Sequence, residues 1–259
     1  MTAQIDDNSI KVQHEPAINF NIEKMISTVP KWLGDLAEGN ILKSMQILDI
    51  QQLSATIKKI RFHGNISTMS FSPGNGNAIR VSNNDLRNYT ISEFNKSTNE
   101  FEIIFYLNDV GIGSRFIDSL SIGSTIYMDK PRGKTCYNEQ VKKHFFIGDE
   151  TSLGLACSLI PVFRKNNHDY KFFLELDKSN ASVPEKLNLD NVTVVQKGQF
   201  AKERMIDVLS LSNQDLENGQ FILTGNASSV QTIRKELKMT NGNAKIYAKG
   251  YWLKGKKGL

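Results

Sequence analysis

The sequence contains little cysteine or histidine and no long apolar run, and each shortage argues against a class of protein. Only two of the 259 residues are cysteines, and Cys136 and Cys157 form no C-x-x-C motif, so neither a disulfide framework nor a zinc site is indicated. The four histidines also lack the spacing of metal ligands, and no metal site is expected. No apolar run could span a bilayer, and the amino terminus lacks the basic and apolar regions of a signal peptide. We expect a cytoplasmic protein without a membrane span.

The charge of the chain is moderately positive. Its formal net charge is +5 and its pI is about 9.0, which favours anionic partners. Nucleic acid is not an expected partner, because the basic residues are not interleaved with aromatic ones and no nucleic-acid-binding motif is present. Part of the excess lies near the carboxyl terminus, at Lys245, Lys249, Lys254, Lys256 and Lys257. A solvated face is the ordinary explanation of such a cluster.

The pattern of apolar residues changes twice along the chain. Helical spacing between Ile18 and Leu42, interrupted by Pro30, predicts a helical leader over residues 1–44. Residues 45–138 then contain short strand-like runs separated by Gly, Asn, Ser and Pro clusters, which predicts an antiparallel barrel of the six-stranded type. The runs are SMQILDIQQL, ATIKKIRFHG, AIRVS, LRNYTISEF, EFEIIFYL and STIYMDK.

From residue 139 to residue 259, strand-like and helical segments alternate, which predicts a parallel sheet in an α/β domain. The predicted strands are HFFIGD, YKFFLELD, VTVVQ, GQFILTG and AKIYAKGYW. Helices are predicted over Thr151–Lys165, Phe200–Leu211 and Ala227–Met239. The boundary between the two domains is expected near Cys136 to Val141, and the second domain ends in the basic tail.

The segment Arg87-Asn88-Tyr89-Thr90 is the strongest candidate site in the first domain. In an extended segment Arg87 and Tyr89 project to the same side. Together they suit a ligand that carries a phosphate and a flat ring, such as a flavin nucleotide. Taken alone, the same pattern also fits a half-buried strand tyrosine beside a solvated arginine.

Three later segments are candidates for nucleotide binding. Gly111-Ile112-Gly113-Ser114 follows a strand, and its glycines would let backbone N–H groups approach a phosphate, although a plain turn is the alternative. Gly148-Asp149-Glu150-Thr151-Ser152 follows the first strand of the α/β domain, where nucleotides collect, although these residues also suit helix capping. Gly250-Tyr251-Trp252 ends the last strand, and its aromatic rings would cover a planar cofactor or seal the domain interface.

Taken in order, the four segments resemble the siderophore-interacting protein family, which are flavin-dependent ferric-siderophore reductases of the ferredoxin-reductase-like superfamily. The resemblance extends from about Met45 to the carboxyl terminus. It implies an FAD-binding barrel joined to an NAD(P)H-binding-like domain. The reaction it implies passes electrons from a reduced donor through FAD to a ferric siderophore and releases Fe(II).

The resemblance also implies roles for individual residues. Arg87 would contact the flavin phosphate, Tyr89 would pack on the isoalloxazine or ribityl portion, and Thr90 would hydrogen-bond the ring. Gly111, Gly113 and Ser114 would cradle the pyrophosphate, and Asp149, Glu150 and Thr151 would lie where nicotinamide meets flavin. Trp252 would help to bind the cofactor. The lysines that would attract an anionic ferric chelate are Lys254, Lys256 and Lys257.

The chain departs from the pattern of the family at several positions. Ser92 and Glu93 stand where a basic residue is common, Asn108 replaces a histidine, Ile112 replaces a proline and Asn226 replaces an acid. These departures leave the electron donor open among NADH, NADPH and reduced ferredoxin.

Two alternatives to this interpretation stay open. One is a reductase of the same fold with another acceptor, and the other is a non-catalytic siderophore-binding module. No clear 2′-phosphate site follows the YKFFLELD strand, although Lys178 lies close enough to contribute. A monomer is expected.

Overall fold

The computed structural model describes residues 42–108, 111–200 and 205–256. The leader predicted over residues 1–44 lies almost wholly outside the described residues, and the first strand already begins at Lys43. Of the tail lysines, Lys257 is also outside them.

The first half of the described chain forms a closed antiparallel barrel. Its strands are β1 (Lys43–Gln52), β2 (Ile57–His63), β3 (Gly76–Arg80), β4 (Leu86–Asn95), β5 (Glu100–Tyr106) and β6 (Thr125–Met128). They are hydrogen-bonded in the order β1-β2-β5-β4-β3-β6, with β6 closing on β1. A short helix, α1 (Ile112–Asp118), connects β5 to β6.

The alternation of apolar and polar residues explains the barrel. In β1, Met45 and Ile47 are buried while Ser44 and Gln46 are exposed, because successive strand residues point to opposite faces. The inward residues form a single cluster with the aromatic rings of β2 and β5 at its centre, where Phe62 stacks on Phe101 at a centroid distance of 5.0 Å.

The second half of the described chain forms a parallel sheet with helices on both faces. Its strands are β7 (Lys143–Asp149), β8 (Asp169–Leu176), β9 (Val192–Gln196), β10 (Gln220–Asn226) and β11 (Lys245–Trp252). Their order in the sheet is β11-β10-β7-β8-β9. The helices are α2 (Leu153–Lys165), α3 (Val183–Lys186), α4 (Met205–Leu209), α5 (Asn213–Asn218) and α6 (Ala227–Thr240).

Each face of this sheet has its own core. Phe146, Phe172 and Ile222 pack with α2 on one face, and Phe145, Phe173 and Phe221 form the core of the other. Because the strands are covered on both faces, they are nearly continuous apolar runs. The barrel packs against the face of the sheet that α2 covers, because the barrel residues Leu53, Ile57 and Ile104 belong to the same apolar cluster as α2.

The fold class predicted from the sequence is confirmed: a six-stranded antiparallel barrel precedes a parallel sheet flanked by helices. The predicted helix over Thr151–Lys165 is a 3-10 turn, Glu150–Ser152, followed by α2. Within the helix predicted over Phe200–Leu211, the structure describes α4, and residues 201–204 lie outside the description. The sequence interpretation missed α5, which begins with a capping box between Ser212 and Asp215.

The described residues contain neither a membrane-spanning helix nor a cluster of metal ligands. None of their helices is long and apolar enough to cross a membrane. Among the same residues, no group of three or more His, Cys, Asp or Glu side chains is arranged to hold a metal ion.

Candidate functional site

The Arg87-Asn88-Tyr89-Thr90 segment lies in β4, where it pairs with β3. The ring of Tyr89 meets Phe105 of the barrel core edge to face, with centroids 4.7 Å apart. Burial raises the pKa of Tyr89, against the opposing effect of the Arg87 charge, so the phenol is neutral. The guanidinium of Arg87 lies nearby, with Nη1 donating to the Leu86 carbonyl at 2.8 Å and 3.5 Å from Asp85 Oδ1. Because a guanidinium has five N–H donors, these contacts leave capacity for a ligand oxygen.

The glycine turn at the start of α1 packs directly on this segment. A Cβ atom at Gly113 would lie 2.6 Å from Tyr89 Oη and 3.3 Å from Arg87 Cγ, which is too close for any side chain. Only glycine therefore allows the backbone of α1 to approach the two side chains. The structure thus brings together the β4 motif and the glycine turn, the two candidate segments that the sequence predicts in the first domain.

Asn108 and Ser114 fasten the glycine turn. Asn108 Oδ1 accepts hydrogen bonds from Gly111 N at 2.9 Å and from Ser114 Oγ at 3.1 Å. Ser114 Oγ in turn accepts from Asn108 N at 3.0 Å. Asn108 therefore has a structural role in shaping the turn.

The start of α2 touches the other end of the β4 motif. A Cβ atom at Gly154 would lie 3.0 Å from the carbonyl oxygen of Thr90 and 3.9 Å from Cβ of Ser92. Ser92 is buried, and its hydroxyl has no partner among the described residues. The turn after β7 therefore lies beside the barrel motif, as the sequence interpretation requires.

Asp149, at the end of β7, is buried and fully hydrogen-bonded. Its Oδ1 accepts from the amide and the hydroxyl of Thr151, while Oδ2 accepts from Asn226 N at 2.8 Å and Trp252 Nε1 at 2.7 Å. Burial raises its pKa, and these hydrogen bonds oppose the rise. With Ser152 it also forms the capping box of the 3-10 turn, so the capping alternative correctly describes its local structure.

Glu150 points away from Asp149 and towards β8 and β9. Its Oε1 accepts from Asp177 N at 2.8 Å and lies 3.3 Å from Lys197 Nζ. Lys197 also pairs with Asp177 at 2.7 Å and lies 5.2 Å above the ring of Tyr106, at the end of β5. Burial raises the pKa of Glu150. Burial lowers the pKa of Lys197, but its pairing with Asp177 and Glu150 outweighs this effect and the net shift is upward.

The network of Glu150 extends into the barrel through Asn180. Asn180 Nδ2 donates to Glu150, and Asn180 Oδ1 accepts from Ser54 and Thr56 at 2.7 and 3.1 Å. Sequence reasoning missed Asn180 and Lys197, because an asparagine and a lysine after a strand are ordinary surface residues and no local pattern marks them.

The two terminal aromatics of β11 face different partners. Trp252 donates its indole N–H to Asp149. Trp252, which the sequence interpretation assigned to the cofactor, therefore contacts the end of β7. Burial raises the pKa of the Tyr251 phenol, and the Thr90 side chain opposes the rise. Lys254 and Lys256 follow in an exposed turn.

Two open grooves, of about 750 and 560 Å³, lie elsewhere. Both are lined by the first residues of the parallel strands, including Gln220 and Lys245 in one and Lys143 and Asp169 in the other. Ligands of open α/β sheets bind at the carboxyl ends of the strands. We therefore place the site at the opposite edge, where the β4 motif, the glycine turn, the turn after β7 and the end of β11 converge.

Residues 44–137 match the family model described as the oxidoreductase FAD-binding domain. The barrel is thus similar to an FAD-binding domain over nearly all of its strands. The geometry fits this cofactor, since a phosphate would meet Arg87 and the glycine turn, and a flat ring would meet Tyr89 and Thr90. A comparison with curated protein sequences finds no match.

Solved structures of siderophore-interacting proteins share the fold. That of Acinetobacter baumannii is 19% identical with a TM-score of 0.70, over 83% of this chain and 91% of the other. SipS of Aeromonas hydrophila is 17% identical with a TM-score of 0.68, and the match covers 84% of this chain and 93% of SipS. Phthalate dioxygenase reductase, which transfers electrons from pyridine nucleotides to [2Fe-2S], is 15% identical with a TM-score of 0.69. The match covers 83% of this chain and 70% of the reductase. The resemblance noted from the sequence is confirmed as a shared fold.

Proposed function

We propose that this chain is a flavin-dependent reductase that passes electrons from NAD(P)H or reduced ferredoxin to a ferric siderophore in the cytoplasm, as a monomer. The observation that carries the proposal is the contact of the glycine turn with the β4 motif, where Gly113 lies against Tyr89 and Arg87. The match of residues 44–137 to an FAD-binding domain and the fold shared with siderophore-interacting proteins support it.

In this proposal the barrel residues bind and orient the cofactor. Arg87 pairs with a flavin phosphate, Tyr89 packs on the ring or ribityl chain, and Thr90 hydrogen-bonds the ring. Gly111, Gly113 and Ser114 surround the pyrophosphate with backbone N–H groups. FAD, when bound, would accept a hydride or electrons from the donor and would pass single electrons to Fe(III).

The α/β domain would receive the electron donor. Asp149, Glu150 and Thr151 lie on the turn beside Thr90, where a nicotinamide would approach the ring. Because the carboxylates of Asp149 and Glu150 are engaged by donors from the chain, we propose that they shape the turn rather than bind the nucleotide directly. Lys178 follows β8 and is exposed, so it is available to a 2′-phosphate.

The substrate would be held by charge at an open surface. Lys254 and Lys256 are exposed just beyond Trp252, and with Lys257 they would attract an anionic ferric chelate. Reduction weakens the hold of hard oxygen ligands on the iron, which leaves as Fe(II). Capture through charge alone predicts that binding weakens as salt is added.

Replacing Arg87 tests the cofactor assignment. Arg87→Ala should raise the dissociation constant of FAD by about tenfold to a hundredfold, because a charge-assisted hydrogen bond contributes about 1.5–3 kcal/mol. Flavin fluorescence quenching on titration into the flavin-free protein measures the change.

Arg61→Ala is the matched control for Arg87→Ala. Arg61 lies on β2 and pairs with Glu102 on the outside of the barrel, so the flavin affinity should not change. Equal flavin affinity in the Arg87→Ala variant and the unaltered protein would contradict the assignment of Arg87.

A further inference from the structure

The carboxylate of Asp149 connects three strands at the carboxyl edge of the sheet. It belongs to β7, it accepts from the amide of Asn226 at the end of β10, and it accepts from the indole of Trp252 at the end of β11. Its other oxygen accepts from Thr151. Since a carboxylate offers about four acceptor positions, no position remains for a ligand, and the role of Asp149 is to hold other groups in place.

Gly225 makes this connection possible. It adopts a positive φ of 107°, and a Cβ atom there would lie 2.5 Å from the Asp149 carboxylate. Any other residue would therefore block the carboxylate from reaching past β10 to Trp252. The path from β7 to the edge strand β11 depends on the absence of a side chain at this one position.

The register of β11 brings Trp252 to the end of β10. Gly225 pairs with Gly250 and Asn226 pairs with Trp252, so Tyr251 is an extra residue in a bulge. Bulges redirect side chains at sheet edges. Here the bulge places Trp252 opposite Asn226, where its indole N–H reaches Asp149.

We propose that Asp149 is a positioning residue that holds Trp252, and with it the end of β11, beside the proposed flavin site. This inference rests on the proposed function. The edge strand β11 is hydrogen-bonded to β10 alone among the described strands, so its last residues need a further anchor. The link from Asp149 to Trp252 supplies that anchor from the middle of the sheet.

The link requires a carboxylate at position 149. Asp149 Oδ2 faces two donors, the indole of Trp252 and the amide of Asn226, and Oδ1 faces two more from Thr151. Asparagine would present an NH₂ group to one of these pairs of donors. Asp149→Asn keeps the size of the side chain but should break the hydrogen bonds either to the Trp252 indole and the Asn226 amide or to Thr151.

The anchor can be observed without a cofactor. The sequence has two tryptophans, so Trp32→Phe leaves a single indole N–H signal, that of Trp252, in the ¹H–¹⁵N spectrum of the full chain. In this background Asp149→Asn should speed the exchange of that N–H with solvent at least about tenfold, the effect of losing a hydrogen bond of about 1.5 kcal/mol to a charged group. An unchanged exchange rate would overturn the inference.

Glu175→Gln is the matched control for the indole measurement. Glu175 is a buried acid of the neighbouring strand β8, and burial raises its pKa as it does that of Asp149. Its Oε1 accepts from Phe200 N at 2.8 Å, away from β11. This variant should leave the indole exchange unchanged. Faster exchange in this variant would mean that any loss of a buried acid loosens the edge, and would overturn the specific role of Asp149.

A double-mutant cycle tests whether Asp149 acts through Trp252. Asp149→Asn and Trp252→Phe should each slow flavin reduction by about tenfold, and the double variant should be no slower than either one, because the two side chains act as a unit. Additive losses would overturn the coupling. Should the protein bind no flavin, the proposed function fails, while the indole exchange still decides whether Asp149 anchors Trp252.

Discussion

At the scale of single residues, the absence of side chains matters as much as their presence. Gly113 lets α1 reach Tyr89 and Arg87, and Gly225 lets Asp149 reach Trp252. The sequence identifies Gly113 as a candidate because it follows a strand within a glycine-rich turn. It does not identify Gly225 in the same way, since the need for a glycine there comes from a carboxylate 76 positions earlier in the chain.

A methyl group at position 113 should weaken flavin binding more than it lowers the stability of the fold. Gly113→Ala places a Cβ atom 2.6 Å from Tyr89 Oη, and the displaced ring should weaken FAD binding by about tenfold, since overpacking costs about 1–3 kcal/mol. Alanine also stabilises a helix relative to glycine by about 1 kcal/mol. The loss of thermal stability should therefore be smaller, in free energy, than the loss of flavin binding.

The control for Gly113→Ala is Gly242→Ala. Gly242 is exposed, with no atom within 4 Å of an added Cβ, so flavin affinity should not change. Wild-type flavin affinity in Gly113→Ala would contradict the close packing of α1 on Tyr89.

At the scale of elements, the amino edge of the sheet contains a buried pair of histidines. His144 Nε2 of β7 lies 3.1 Å from His168 Nδ1, which precedes β8, and the ring of His144 stacks on Phe163 of α2 at 4.6 Å. Burial and the nearby His168 together lower the pKa of His144 to about 4. Burial also lowers the pKa of His168, as does Lys142, while Glu139 and Asp169 oppose this.

The histidine pair predicts a loss of stability in mild acid. Because the pKa of His144 is lower in the folded state, the unfolded chain binds more protons as the pH falls below about 6.5, and the free energy of unfolding decreases until about pH 4. Between pH 7 and pH 5 its contribution is about 2 kcal/mol. The buried acids Asp149, Glu150 and Glu175 have raised pKa values and act in the opposite direction.

Replacing the histidine isolates its contribution. His144→Phe retains the stacking on Phe163 and should show a smaller loss of stability between pH 7 and pH 5, measured by urea unfolding. His63→Gln, at an exposed position of β2, should behave like the unaltered protein. An equal loss in His144→Phe and the unaltered protein would contradict the role of His144.

The elements themselves were largely predictable from the sequence. The strands of the barrel follow from alternation, as in Met45 and Ile47, and those of the parallel sheet from continuous apolar runs such as HFFIG. The helix α5 was not predicted because its six residues, NQDLEN, are mostly polar and contain one buried apolar side chain, Leu216. The bulge at Tyr251 depends on pairing with β10, which no local pattern in β11 specifies.

At the scale of the whole molecule, polar contacts join the two halves beside the proposed site. Asn180 connects Glu150 to the barrel hydroxyls of Ser54 and Thr56, and Lys197 lies over Tyr106 at the end of β5. The contacts that cross between the two halves join residues separated by 91 to 126 positions in sequence. Sequence reasoning could place the site between the halves but could not identify the residues that fix their orientation.

We propose that electrons pass through flavin bound to this chain to ferric siderophores, and the anaerobic absorbance spectrum of the full chain loaded with FAD tests this proposal most directly. Addition of NADH, NADPH or reduced ferredoxin should bleach the flavin band. A ferric catecholate or hydroxamate siderophore should then restore the band, with Fe(II) captured by a ferrous-specific chelator. Failure to retain flavin, or a reduced flavin that recovers no faster with the ferric complex than without it, would contradict the account.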